Sequence, residues 1–182
     1  NIDFTKEKII YLSPKGKVFN QNIAKKMSKE KTINIICGHF EGIDQRVPES
    51  KRIELAYSVY RHETLEYWLA RDPSTKVRRV LADSARLPET HGVLAFDPCK
   101  RVRLKLAGNR TISAGTFRIL SHDLSPAVQL TVANNSINSE DSSVEPGFHI
   151  LACSPFRRVR AALAKRSDIN EKVLGILGSD PS

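Results

Sequence analysis

Leu69-Ala70-Arg71-Asp72-Pro73, followed by Val77 and then Leu81-Ala82, governs how most of this chain reads, because the pattern returns. Its opening recurs as Leu94-Ala95-Phe96-Asp97-Pro98, Leu120-Ser121-His122-Asp123-Leu124, Leu151-Ala152-Cys153-Ser154-Pro155 and Leu177-Gly178-Ser179-Asp180-Pro181. The leading leucines are 25, 26, 31 and 26 residues apart. A second row runs Leu55-Ala56, Leu81-Ala82, Leu106-Ala107, Val132-Ala133 and Leu163-Ala164. A third is Val77, Val102, Val128 and Val159, and a fourth is Leu87, Ile112, Ile137 and Ile169. Self-similarity at a fixed period of this length points to stacked units.

Val77 and Leu81 stand at i, i+4 on one helical face, as do Val102/Leu106, Val128/Val132 and Val159/Leu163. Asp72, Asp97 and Ser154 are expected as helix caps, with the following proline at the first helical position. Each unit is then a helix, a turn and a shorter helical segment. It cannot bury its apolar face alone, so residues 48–182 are expected to stack as a mainly α-helical solenoid of about five units, without strand pairing. Residues 48–68 look like a degenerate first unit, since Lys51 replaces the row-three valine. The longer spacing before Leu151 places a polar surface loop around 139–146. Tyr67 and Trp68 are expected in the core at the start of the array. These marks resemble the leucine-rich variant repeat, akin to HEAT-type arrays. That resemblance implies α-helices alternating with short 3₁₀-like helices and a surface for protein partners. The cysteine cluster that some members use for an iron–sulfur centre has no counterpart here.

Residues 1–47 read differently. Lys8–Leu12 is an apolar run of strand length, residues 20–30 carry a helical stripe, and residues 32–37 form a second apolar run. Two strands bracketing a helix make a βαβ unit, and ligands of such sheets bind at the loops beyond the strand ends. Ile10-Tyr11-Leu12-Ser13-Pro14-Lys15-Gly16 with Cys37-Gly38-His39-Phe40-Glu41-Gly42-Ile43-Asp44-Gln45-Arg46-Val47 resembles bacterial tRNA (guanine-N(1))-methyltransferase. The resemblance implies part of a knotted α/β fold that binds S-adenosylmethionine. Ser13, Pro14, Gly16, Gly38, Phe40, Glu41 and Gly42 would line the donor pocket, and tRNA would be the partner. His39, Phe40 and Gln45 stand where the family usually has Arg, Tyr and Glu. The Ser-Ile-Gly-Asp segment and Gly-rich turn expected after Val47 are missing, and the family's general-base aspartate has no counterpart. No catalytic residue is assigned, and no cofactor is expected to bind the chain as written. The chain opens at Asn1 without Met, as a fragment or processed chain would.

Charge usage changes at the same place. Before residue 48 there are eight lysines and one arginine; after it there are six lysines and fourteen arginines. This switch points to a fusion or splice near Val47. The net charge is +9, which favours anionic partners. Stacking would align Arg78, Arg79, Arg101, Arg103, Arg157, Arg158 and Arg160 into a basic ridge, either a phosphate-binding surface or a solvated helix face; Gln129 breaks it. The three cysteines, Cys37, Cys99 and Cys153, lack metal or disulfide spacing, and no metal is expected. A reducing, cytoplasmic location fits, and no apolar run is long enough for a membrane span. The function expected from these features is a fusion dominated by a non-catalytic module for protein–protein interaction. The alternatives are a methyl-donor-dependent tRNA guanine methyltransferase and a basic solenoid that binds nucleic acid.

Overall fold

The computed structural model describes residues 8–12, 19–37, 47–58, 61, 63–137 and 142–179. Strand β1 (Lys8–Leu12), helix α1 (Gln21–Met27) and strand β2 (Ile33–Cys37) come first. The strands pair in parallel, from Lys8 opposite Ile33 to Leu12 opposite Cys37. Asn20 starts α1 by accepting a hydrogen bond from the Ile23 N–H at 3.0 Å. No residue of α1 is buried and Ile35 is exposed.

Among the described residues beyond Val47 every regular element is an α-helix. In chain order these are α2 (Glu49–Tyr57), α3 (Glu63–Leu69), α4 (Thr75–Ser84), α5 (Pro88–Ala95), α6 (Lys100–Ala107), α7 (Ala114–Ser121), α8 (Pro126–Ala133), α9 (Glu145–Ala152), α10 (Arg157–Ala164) and α11 (Glu171–Gly178). They form two layers. In one, α2, α4, α6, α8 and α10 pack each on the next; in the other, α3, α5, α7, α9 and α11 do the same, and chain neighbours join the layers.

The rows seen in the sequence fill the space between. Leu55, Leu81, Leu106, Val132 and Leu163 are buried, as are Val77, Val102, Val128 and Val159 from one layer and Leu69, Leu94, Leu120 and Leu151 from the other. Ala56, Ala82, Ala107 and Ala133 are fully buried beside them, where a bare methyl lets helices approach. Closeness is greatest at Gly147: a Cβ there would lie 2.4 Å from Phe117 Cδ1. The Phe117 and Phe148 rings meet edge to face at 5.1 Å.

Three expectations need correction. The second helix of each unit is α-helical, not 3₁₀-like, and it is shorter than the first only in the first two units: α3 and α5 have seven and eight residues against nine and ten in α2 and α4, while α6 to α11 have eight each. Good starts support them: Ser113 Oγ accepts from Thr116 N at 3.3 Å, Asn170 Oδ1 accepts from Val173 N at 3.0 Å, and Pro88 needs no N–H at its position. Glu145 and Pro146, expected in a polar loop, open α9, where a proline is tolerated in the first turn; residues 138–141 lie outside the described residues. Tyr67 is 45% exposed rather than in the core, and Trp68 is half-buried and edge-on to it at 5.2 Å.

The last carbonyls of a helix have no partner within it. Here a side chain from the following unit supplies one. Ser84 Oγ donates to the Ala56 carbonyl at 3.3 Å, Asn109 Nδ2 to Ala82 at 3.0 Å, Asn135 Nδ2 to Ala107 at 2.7 Å, and Arg166 Nη1 to Ala133 at 3.2 Å. Each donor stands two residues after the row-two alanine of its own unit.

Leu106→Ala should cost about 2–5 kcal/mol in urea unfolding, and Leu55→Ala should fall in the same range, because Leu55 is equally enclosed. Gly147→Ala should cost about 1–3 kcal/mol by crowding Phe117. Leu124→Ala, at a side chain 94% exposed, is the control. Leu106→Ala behaving like Leu124→Ala would contradict this packing.

Candidate functional site in the arginine rows

One interaction repeats along the start of the α2-to-α10 layer. Arg52 Nε and Nη2 lie 2.7 and 3.3 Å from the carboxylate oxygens of Asp72. Arg78 meets Asp97 at 2.6 and 3.3 Å, and Arg103 meets Asp123 at 2.6 and 3.2 Å. The same guanidiniums reach backwards through Nη1, from Arg52 to the Val47 carbonyl at 2.6 Å, from Arg78 to Asp72 at 2.7 Å and from Arg103 to Asp97 at 2.7 Å. In the next unit Gln129 does both tasks without charge. Its Nε2 donates to the Asp123 carbonyl at 2.7 Å, and its Oε1 accepts from Ser154 Oγ at 2.6 Å. Arg160 Nη1 donates to the Ser154 carbonyl at 2.8 Å. Its row-one counterpart ahead, Asp180, lies outside the described residues.

These ties are enclosed. The Asp72, Asp97 and Asp123 side chains are 4%, 3% and 5% exposed. Donating hydrogen bonds to the Asp97 carboxylate holds the Arg78 guanidinium above the ordinary arginine range, and Asp123 does the same for Arg103. A bidentate, charge-assisted pair of this kind is strong and directional. Each aspartate also accepts from the backbone two residues on: Ser74 N, Cys99 N and Ser125 N all lie at 2.8 Å. Carboxylates held this way fix turns; nothing in the arrangement resembles a base presented to a substrate.

The expected caps are therefore displaced. Ser74, Cys99 and Phe156, not Asp72, Asp97 and Ser154, are the N-cap residues, and the helices begin at Thr75, Lys100 and Arg157. Pro73, Pro98 and Pro155 precede the cap instead of following it. Proline holds the residue before it extended, and the aspartate builds the turn one step upstream of the helix.

The seven candidate ridge arginines separate into two groups. Arg78, Arg103 and Arg160 turn into the rungs just described. Arg101, Arg157 and Arg158 are exposed and Arg79 is half-buried, all on the outer side of the layer. Arg79 and Arg101 border a shallow groove with Tyr57, Val80, Asp83, Leu104 and Lys105. The donor-loop candidates Ser13, Pro14, Gly16, Gly38, Phe40, Glu41 and Gly42 lie outside the described residues. Among the described residues no group of three or more His, Cys, Asp or Glu side chains is placed to hold a metal ion, and no helix is long and apolar enough to cross a membrane. Sequence reasoning missed Arg52, Asp123 as an arginine partner, and the capping residues Ser84, Asn109 and Asn135. A signal was there: Arg and Asp recur 20, 19 and 20 residues apart.

Comparison with known proteins bears on the start of the chain. Residues 1–59 match the model of the family described as tRNA (Guanine-1)-methyltransferase TrmD. The tRNA (guanine-N(1)-)-methyltransferase of Pelagibacter ubique is 56% identical over 48 residues, covering 26% of this chain and 21% of that protein. The Fusobacterium nucleatum protein of the same name is 59% identical over 44 residues, 24% of this chain and 18% of its own length. The Clostridium novyi protein is 64% identical over 42 residues, 23% and 17% respectively. The chain thus spans a minor part of the curated relatives it matches. No solved structure matches it.

Asp97→Ala should destabilise the protein by about 3 kcal/mol, because it leaves the largely buried Arg78 guanidinium without its carboxylate. At the uncharged rung the reverse can be built. Gln129→Arg and Ser154→Asp should each be unfavourable alone and should recover together, with a coupling of about 1–3 kcal/mol in a double-mutant cycle. Additive effects would mean that the two positions do not form a rung.

Proposed function

We propose that residues 48–182 form a HEAT-like solenoid of the leucine-rich variant type, a non-catalytic module for protein–protein interaction. In this reading, residues 1–47 are an incomplete donor-binding segment of the tRNA (guanine-N(1))-methyltransferase type, joined to the solenoid by fusion near Val47. The observation that carries the solenoid is the recurrence of one rung, arginine or glutamine to turn, from Arg52 to Arg160. Shape recurring at a fixed period yields an extended surface suited to partners, not an enclosed cavity.

The family match extends to residue 59, past the proposed join. In this reading the join stays near Val47, supported by the pairing of Arg52 with Asp72 and by the packing of α2 on α4 with Leu55 and Ala56 buried. By resemblance, Ser13, Pro14, Gly16, Gly38, Phe40, Glu41 and Gly42 would touch S-adenosylmethionine, which would supply a methyl group. The segment that would close the pocket after Val47 is instead α2, tied to Asp72. These residues do not fit the donor as a complete site, and no methyl-transfer step is assigned to the chain.

A calorimetric titration with S-adenosylmethionine should show no saturable heat up to concentrations on the order of 100 µM, where a Kd of about 1 µM would have saturated the site. Low-micromolar binding abolished by Glu41→Ala would contradict this. For the solenoid, native-state hydrogen exchange of Leu163→Ala should rise in α8 to α11 and leave α2 and α4 protected, as nearest-neighbour coupling requires. Loss of protection spread evenly from α2 to α11 would instead indicate one globular unit.

A further inference from the structure

We propose that the groove crossing α2, α4 and α6 is a docking site for an acidic peptide segment that carries an apolar side chain between its carboxylates. This rests on the protein-interaction reading above and adds the partner's chemistry. Val80 and Leu104 form the floor, half-buried and packed against the core. Tyr57 stands at one wall, 63% exposed. Arg79, Arg101 and Lys105 supply the rim, against the single carboxylate Asp83, which Lys105 already engages at 3.2 Å. An apolar floor under a positive rim complements a segment that is apolar at one position and negative on both sides.

Two observations favour a peptide over a nucleic-acid backbone. Arg78 and Arg103, which would have widened the positive surface, are held inward by Asp97 and Asp123. The outward cations are also interrupted at α8 and return only with Arg157 and Arg158 on α10. On α8 the positions equivalent to Arg101, Leu104 and Lys105 are Ala127, Leu130 and Thr131. The apolar stripe therefore continues through Leu130, half-buried like Leu104, while the charge does not. A phosphate backbone needs cations along its whole track and no apolar floor.

The test uses the full chain and a fluorescein-labelled peptide, Glu-Glu-Leu-Glu-Glu-Leu-Glu, read by fluorescence anisotropy. Saturable binding is expected. Arg79→Glu with Arg101→Glu should weaken it at least about tenfold, and Tyr57→Ala should weaken it several-fold, as should replacing both leucines of the peptide by serine. Circular dichroism checks that the variants remain folded. Equal binding of the serine peptide, or indifference to Tyr57→Ala, would overturn the proposal. So would a uridine oligonucleotide that competes with the peptide, binds more tightly and is unaffected by Tyr57→Ala. If the peptide does not bind while hydrogen exchange keeps its nearest-neighbour pattern, this inference fails and the solenoid stands; loss of both sinks the underlying reading.

Discussion

A guanidinium that bonds a carboxylate one unit ahead and a carbonyl in the turn before its own helix cannot shift without breaking both. Arg78 is tied in this way to Asp97 in front and Asp72 behind, and Arg103 to Asp123 and Asp97. Each aspartate turn is therefore gripped twice, through its carboxylate by one arginine and through its carbonyl by the next. The turns precede α4, α6 and α8, so their spacing sets the spacing of those helices. The carboxylates also sit by helix N-termini, where the backbone dipole favours negative charge. Geometry, charge and helix polarity all point in one direction.

The other end of the same layer is held by neutral groups. Ser84, Asn109 and Asn135 reach back to the last carbonyls of α2, α4 and α6. Between the two polar borders lies an apolar filling of leucine, valine and alanine, which supplies most of the free energy but little register. The polar borders are what make one alignment of neighbouring helices better than a slipped one. At Gln129 and Ser154 the border is kept with a neutral pair, so the positional role survives the loss of charge.

Much of the apolar framework was legible in the sequence. The row-two and row-three positions are spaced at i, i+4, and an inward face follows directly from that. The fate of neighbouring arginines was not. Arg78 and Arg79 differ by one position on α4, yet one enters a rung and the other faces the groove; which does which depends on where the next turn lies, and that is tertiary information. The same cause explains the displaced caps. Asp72 has the composition of a cap, but its carboxylate is claimed by Arg52 and by the Ser74 N–H. Lys51 hid the regularity of the first unit, because Arg52, one residue on, carries its rung. In the first forty-seven residues the situation is reversed: short motifs around Ser13 and Gly38 are legible as family marks, while their loops lie outside the described residues.

Function follows the same division. The enclosed arginines are structural, and the surface available to partners is the outer side of the layer, where cations border half-buried apolar residues. Arginine side-chain NMR tests the division most directly, because the Nε–H protons of individual arginines report their own enclosure. The account predicts slow solvent exchange for Arg52, Arg78 and Arg103, and fast exchange for Arg101, Arg157 and Arg158. Uniformly fast exchange across these six side chains would contradict it.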